Sequence, residues 1–122
     1  MCSALNPESK NFKLVLPILF LTFNRMDTTK LVFEVIKKIK PPRLYIASDG
    51  PREDHPQESK KINEIRNFLT SNIDWSCDVH TLFNSSNLGC KIAVSNAINW
   101  FFDHEEKGIV LEDDCLPSRS FF

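Results

Sequence analysis

"PILFLTF", residues 17–23, is a run of apolar and β-branched residues that stops abruptly at Asn24 and Arg25. A short apolar run with a proline at its start and polar residues at its end reads as a strand buried on both faces, the habit of parallel sheets. The next segment changes period. Leu31, Val32, Val35, Ile36 and Ile39 recur at helical spacing, with Asp27 expected as the N-cap, and Pro41 with Pro42 forbids further extension. Lys30, Lys37, Lys38 and Lys40 take the other face and read as a solvated face rather than a phosphate patch.

The alternation continues along the chain. "RLYIASDG", residues 43–50, is a second strand running into an Asp-Gly turn, and the polar, proline-punctuated stretch 51–61 reads as a loop. A second helix follows with Ile62, Ile65, Phe68 and Leu69 as its stripe. "CDVHTLFN", residues 77–84, is a third strand, which "SSNLG" breaks. Cys90 to Phe102 is a third helix, with Ile92, Ala93, Ala97, Trp100 and Phe101 on its buried side, and "GIVL" is a fourth strand. The order βαβαβαβ predicts an α/β fold of three layers, α/β/α, around a mostly parallel sheet of about four strands with right-handed crossovers. Residues 1–12 are expected to be a loose N-terminal segment and residues 13–122 a single domain.

Composition narrows the partners. Lys plus Arg (15) nearly balance Asp plus Glu (16), so no long-range field gathers nucleic acid or an anionic membrane, and an anionic ligand must be captured locally. Cys2, Cys77, Cys90 and Cys115 show no zinc-ligand spacing and read as reduced, mostly buried thiols. The most apolar run, Leu14 to Phe23, is far shorter than the ~20 residues of a membrane span and does not resemble a signal peptide. A cytoplasmic protein without a transmembrane segment is expected. His55, His80 and His104 lie in contexts that suggest no catalytic role, and Trp75 and Trp100 read as core or rim.

In an open α/β sheet, ligands bind outside the carboxyl ends of the strands. Those ends carry Thr22, Asn24 and Arg25; Ser48, Asp49 and Gly50; Asn84, Asn87 and Gly89; and Glu112, Asp113 and Asp114. Most have an ordinary explanation as turn or cap residues. The acidic triplet resists one, because three adjacent carboxylates repel one another unless a cation supplies positive charge. All-oxygen ligation suits Mg²⁺ or Mn²⁺. Strand alternation sends Glu112 and Asp114 to one side and Asp113 to the other, so one direct ligand with supporting contacts is expected. Few carboxylates are typical of a metal bound mainly through substrate phosphates, as in a nucleoside diphosphate, and neither GxGxxG nor GxxxxGK[ST] is present to hold such phosphates.

Taken in order, "PILFLTFNR", "IASDG", "NLG" before a helix and "GIVLEDDCLPSRSFF" resemble the Rossmann-like nucleotide-sugar-binding half of GT-A fold glycosyltransferases. The nearest pattern is the N-acetylglucosaminyltransferase I type, in which EDD replaces the DxD motif. The resemblance runs from about Pro17 to Phe122. It implies an enzyme that transfers a sugar, with inversion, from a nucleotide-diphospho-sugar, a UDP-sugar, to an acceptor hydroxyl that the sequence does not identify: a sugar, a lipid-linked glycan or a protein.

Residue by residue, the resemblance gives Arg25 to the nucleotide, Asp49 to the uracil, Glu112 to the ribose, Asp113 to the sugar and phosphates, and Asp114 to Mn²⁺. Thr22, Asn24 and Asn87 complete the expected donor site. The base that deprotonates the acceptor lies beyond the triplet in that family and has no counterpart before Phe122. The chain is therefore expected to be the donor-binding part of a longer protein, and the open edge of such a half-sheet allows pairing with a second copy. The alternative readings are a non-catalytic nucleotide-binding module and, more distantly, a receiver-like or phosphatase domain. The latter folds place acids after the first strand, where this chain has "TFNR".

Overall fold

A computed structural model describes residues 15–114. The expected loose segment 1–12, Cys2, Cys115 and the "PSRSFF" stretch lie outside the described residues. Four strands, β1 (Ile18–Thr22), β2 (Arg43–Ser48), β3 (Asp78–Phe83) and β4 (Ile109–Glu112), alternate with three helices, α1 (Met26–Ile39), α2 (Glu58–Ser71) and α3 (Cys90–His104). The strands form one all-parallel sheet in the order β3-β2-β1-β4. The βαβαβαβ order and the parallel sheet are as expected.

Every residue of β1 is buried, because β1 lies between two strands and under helices on both faces. Ile18 and Phe20 point into one core with Val32, Phe33 and Ile36 of α1 and Ile65 and Leu69 of α2. Leu19 and Leu21 point into the other, with Tyr45, Ala47 and, from α3, Ala97 and Phe101. The period-2 alternation of a strand thus separates α1 and α2 from α3, giving the three layers. Gly108 admits this packing on the α3 side: a Cβ there would lie 2.3 Å from the Phe101 ring.

The helices depart from the sequence reading in detail. In α1 the buried face is Thr29, Val32, Phe33 and Ile36, whereas Leu31, expected inside, is 56% exposed. Thr29, Val32, Phe33 and Ile36 follow the i, i+3, i+4, i+7 spacing of one narrow stripe, and Leu31 falls off its edge. Asp27 is not the N-cap. Arg25 holds that position, and Asp27 lies in the first turn, where its carboxylate accepts the Thr28 N–H and complements the helix dipole. Lys40 ends α1 in a left-handed conformation, donating its N–H to the Ile36 carbonyl, and the two prolines follow. Helix α2 begins at Glu58, inside the stretch read as loop. In α3, Ile92 is 57% exposed rather than buried, because one helix covers this face and only Ala97 and Phe101 reach the sheet fully. Cys77 is half-buried and Cys90 exposed, so the expected burial fails for Cys90.

The amino-terminal end of the sheet is fastened by Glu105, just after α3. Its carboxylate accepts from Arg43 Nε (2.7 Å) and Nη2 (3.1 Å) and from the Tyr45 hydroxyl (2.7 Å). Burial and this carboxylate push the Tyr45 phenol up to about 12. The rings of His80 and Trp100 pack on Tyr45, and Trp75 donates its indole N–H to the Pro41 carbonyl. Both tryptophans are therefore structural, at the end of the sheet opposite the carboxyl ends of the strands.

Candidate functional site

β1 is followed outward on one side by β2 and β3, while β4 returns to its other side, so the winding reverses between β1 and β4. Crevices at the carboxyl ends of strands beside such a reversal are where α/β sheets take ligands. A cleft of about 320 Å³ opens on the α3 face at the carboxyl ends of β1, β2 and β3, on the β2 side of that reversal. Its floor is Leu21, Ala47 and Leu82 at the ends of three strands. One wall is the first turn of α3, with Gly89, Cys90 and Val94; the other carries Phe23 and Arg52. Gly89 precedes α3 at φ 90°, and no side chain caps the helix, so its first N–H groups remain available beside the cleft.

Of the strand-end residues singled out in the sequence, Thr22, Ser48, Asp49, Asn84, Asn87 and Gly89 line this cleft, and Thr22, Asp49 and Asn87 are the expected donor-site residues among them. Asp49 has an unexpected amount to do. Its Oδ1 accepts from the N–H of Gly50 (2.9 Å) and Leu88 (3.0 Å) and from Asn84 Nδ2 (3.2 Å). Its Oδ2 accepts from Asn87 Nδ2 (3.1 Å) and the Gly89 N–H (3.2 Å). Five donors saturate a carboxylate with about four lone-pair sites, so Asp49 folds the 84–89 loop against the end of β2. Asn87 Nδ2 also reaches the Gly50 carbonyl at 2.9 Å. Gly50 must be glycine for this approach, since a Cβ there would lie 2.4 Å from the Ser86 backbone. Thr22 donates its hydroxyl to the Ala47 carbonyl at 3.0 Å, which stitches the ends of β1 and β2.

Two arginines missed in the sequence complete the frame. Arg66 of α2 reaches through to the strand ends, giving Nε to Ser48 Oγ (2.9 Å) and Nη2 to the carbonyls of Ser48 (3.1 Å), Asp49 (3.2 Å) and Asn84 (2.8 Å). Its guanidinium lies 4.7 Å from the Phe83 ring centroid. Arg52 meets Glu58, whose side chain is 4% exposed. Glu58 accepts from the Arg52 N–H (2.9 Å), Nε (3.0 Å) and Nη2 (2.6 Å), and from Asn24 Nδ2 (2.9 Å). These bonds, Arg52 foremost, hold the Glu58 carboxyl at about 2 against the opposing effect of burial. No periodic signal marks a pair six residues apart across a loop and a helix start. The Gly-Pro turn before Arg52 is the only hint the sequence offers.

Asn24 and Arg25 do not line the cleft. They face a separate crevice between the start of α1 and Lys61, Glu64 and Ile65 of α2. The triplet sits on the other flank of β1. Glu112 ends β4 opposite Leu21 and is exposed, Asp113 is half-buried, and Asp114 is exposed. Asp113 Oδ2 accepts the Phe23 N–H at 3.1 Å, so the triplet is joined to the very residue that walls the cleft. Burial pushes the Asp113 carboxyl above the usual carboxylate range, with the Asp114 and Glu112 charges adding to this and the Phe23 N–H and Arg25 opposing it. Among the described residues no three His, Cys, Asp or Glu side chains gather as a metal cage. Asp114 is an exposed oxygen donor, which fits a Mg²⁺ or Mn²⁺ ion that keeps several waters and takes its other ligands from a bound phosphate.

No family model matches this chain, and neither a curated protein nor a solved structure matches it. Among the described residues no helix is long and apolar enough to cross a membrane.

Proposed function

We propose that this chain is the donor-binding part of a metal-dependent GT-A glycosyltransferase. It binds a nucleotide-diphospho-sugar, a UDP-sugar, for transfer with inversion to an acceptor hydroxyl. The observation that carries the reading is the cleft at the carboxyl ends of β1, β2 and β3, walled by Phe23, whose N–H is held by the central acid of the triplet. An apolar floor with a few convergent polar groups is the usual make-up of a small-molecule site.

The base of the nucleotide lies on the Leu21, Ala47 and Leu82 floor. With Asp49 saturated, its contact to the base is indirect: it fixes Asn84 and Asn87, whose Nδ2 groups are committed to it and whose Oδ1 atoms remain as acceptors for the uracil N3–H. Glu112 is assigned to the ribose hydroxyls and Asp113 to the sugar side of the diphosphate, and Asp114 holds the metal. When bound, Mn²⁺ or Mg²⁺ supplies charge neutralisation of the departing diphosphate. The chain itself contributes position, a fixed set of dipoles and a floor that excludes water. No described residue is assigned as the catalytic base.

The reading is tested by calorimetric titration with UDP, with and without Mn²⁺, using GDP and ADP as controls. Binding that requires Mn²⁺, prefers UDP and is lost in Asp114→Asn supports it. Metal-independent binding with no preference among the three nucleotides refutes it.

A further inference from the structure

We infer that Arg52, pre-oriented by buried Glu58, is the anion-contacting side chain of the cleft and receives the phosphate groups of its ligand. The inference rests on the donor-site reading for the identity of the ligand but not for the identity of the residue. Two charged side chains line the cleft among the described residues, Asp49 and Arg52. Asp49 is saturated by five donors, so its charge is already compensated within the loop it holds. Arg25 lines the crevice against α2, outside the cleft, and its charge also reaches Asp113.

A guanidinium carries five N–H donors. Glu58 takes Nε and Nη2 of Arg52, while Nη1 makes no hydrogen bond among the described residues. The Arg52 side chain remains 42% exposed, with its guanidinium carbon 5.6 Å from the Phe23 ring centroid. Glu58 occupies the Nε–Nη2 edge of the guanidinium and so orients it, leaving the opposite Nη1–Nη2 edge, with both Nη1 hydrogens and one Nη2 hydrogen, to face a ligand. The arrangement suits phosphate, whose oxygens accept paired N–H groups from a fixed guanidinium. The residue is a binding residue, and the fixed geometry lowers the ordering cost of the contact.

The test measures UDP affinity in the presence of Mn²⁺, and inorganic pyrophosphate affinity with and without Mn²⁺, in the full chain and four variants: Arg52→Lys, Arg52→Gln, Arg25→Gln and the pair Arg52→Gln/Glu58→Gln. The double variant removes the charge without leaving a buried unpaired carboxylate, and circular dichroism and thermal melting establish that each variant is folded. Loss of at least ~10-fold in affinity for both probes in the double variant, the effect of one charge-assisted hydrogen bond, is expected. Arg52→Lys should recover part of it, and Arg25→Gln should stay within about 2-fold of the parent, the scatter expected for a residue outside the contact. Unchanged affinity in a folded double variant, or loss in Arg25→Gln instead, overturns the assignment while leaving the donor site standing. Pyrophosphate binding that depends on Arg52, without UDP binding, supports Arg52 and removes the nucleotide reading. Binding of neither probe by the parent overturns both.

Discussion

Replacing Glu58 by Gln keeps the volume and one acceptor oxygen but removes the charge that Arg52 grips. The carboxyl group stands at about 2 in the folded chain against an ordinary 4.5, a difference that corresponds to about 3 kcal/mol at neutral pH. Glu58 is buried, but Arg52 is 42% exposed and water screens part of the attraction, so about 2 kcal/mol is the expected cost. The sign follows from the depressed value: the stabilisation is fully present above pH 4.5 and is lost as pH falls toward 2. Urea denaturation of parent and Glu58→Gln at a series of pH values reads this directly. At pH 7 the variant should be less stable by about 2 kcal/mol, on the order of 7 °C in melting temperature, and the two curves should converge near pH 2. Equal stabilities at pH 7, or a deficit that persists unchanged at pH 2, would refute the claim that a buried ion pair fixes Arg52.

Three other expectations bear on the frame of the cleft. Asp49→Ala should cost about 2–4 kcal/mol, since its five bonds include charge-assisted ones whose donors are partly reached by water, and amide hydrogen exchange at Leu88 and Gly89 should accelerate. Gly50→Ala should destabilise more than Gly89→Ala in thermal melts. The first drives a methyl group into the Ser86 backbone, whereas the second meets open space and carries only the backbone penalty of an extended positive-φ conformation, about 1–3 kcal/mol. Asp113→Asn should raise stability at pH 7 without metal, because the amide oxygen still accepts the Phe23 N–H and the repulsion from Glu112 and Asp114 is relieved. The advantage should shrink as pH falls and the parent carboxyl protonates, which denaturation at pH 7 and pH 3 would resolve.

The elements were legible because β1, β2 and β4 are compact, largely apolar runs and each helix has its own period, while the edge strand β3 carries Asp78, His80 and Thr81 among its apolar residues. The apolar run at 18–22 proved to be the strand buried on both faces, as its composition required. Helix faces were less legible. Leu31 and Ile92 belong to apolar stripes wider than the area the sheet covers, and sequence cannot say which edge of a wide stripe is left in water. Phe33 holds the i+4 position of the buried stripe, outside the aliphatic set that the sequence suggests, and it packs against Phe68 of α2 and Trp75.

In the candidate site, Thr22, Asp49 and Asn87 were found through turn chemistry at strand ends, and they do meet around one cleft. The role of Asp49 was hidden, because an Asp-Gly turn gives no sign that the same carboxylate will gather a loop almost forty residues away. Arg52, Glu58 and Arg66 were invisible for a related reason. Their partners are backbone carbonyls or residues at irregular spacing, which leave no pattern in the chain.

The central claim is that one ligand occupies the cleft beside β1 with a metal at the end of β4. The most direct measurement is a two-dimensional amide NMR spectrum of the isotopically labelled chain, recorded with UDP and Mg²⁺ and then with substoichiometric Mn²⁺. The account predicts shifts clustered at Thr22, Phe23, Ser48, Arg52 and the 84–89 loop, and paramagnetic broadening centred on Glu112 to Asp114. Broadening centred elsewhere, or a folded spectrum that UDP leaves unchanged at those residues, would contradict it.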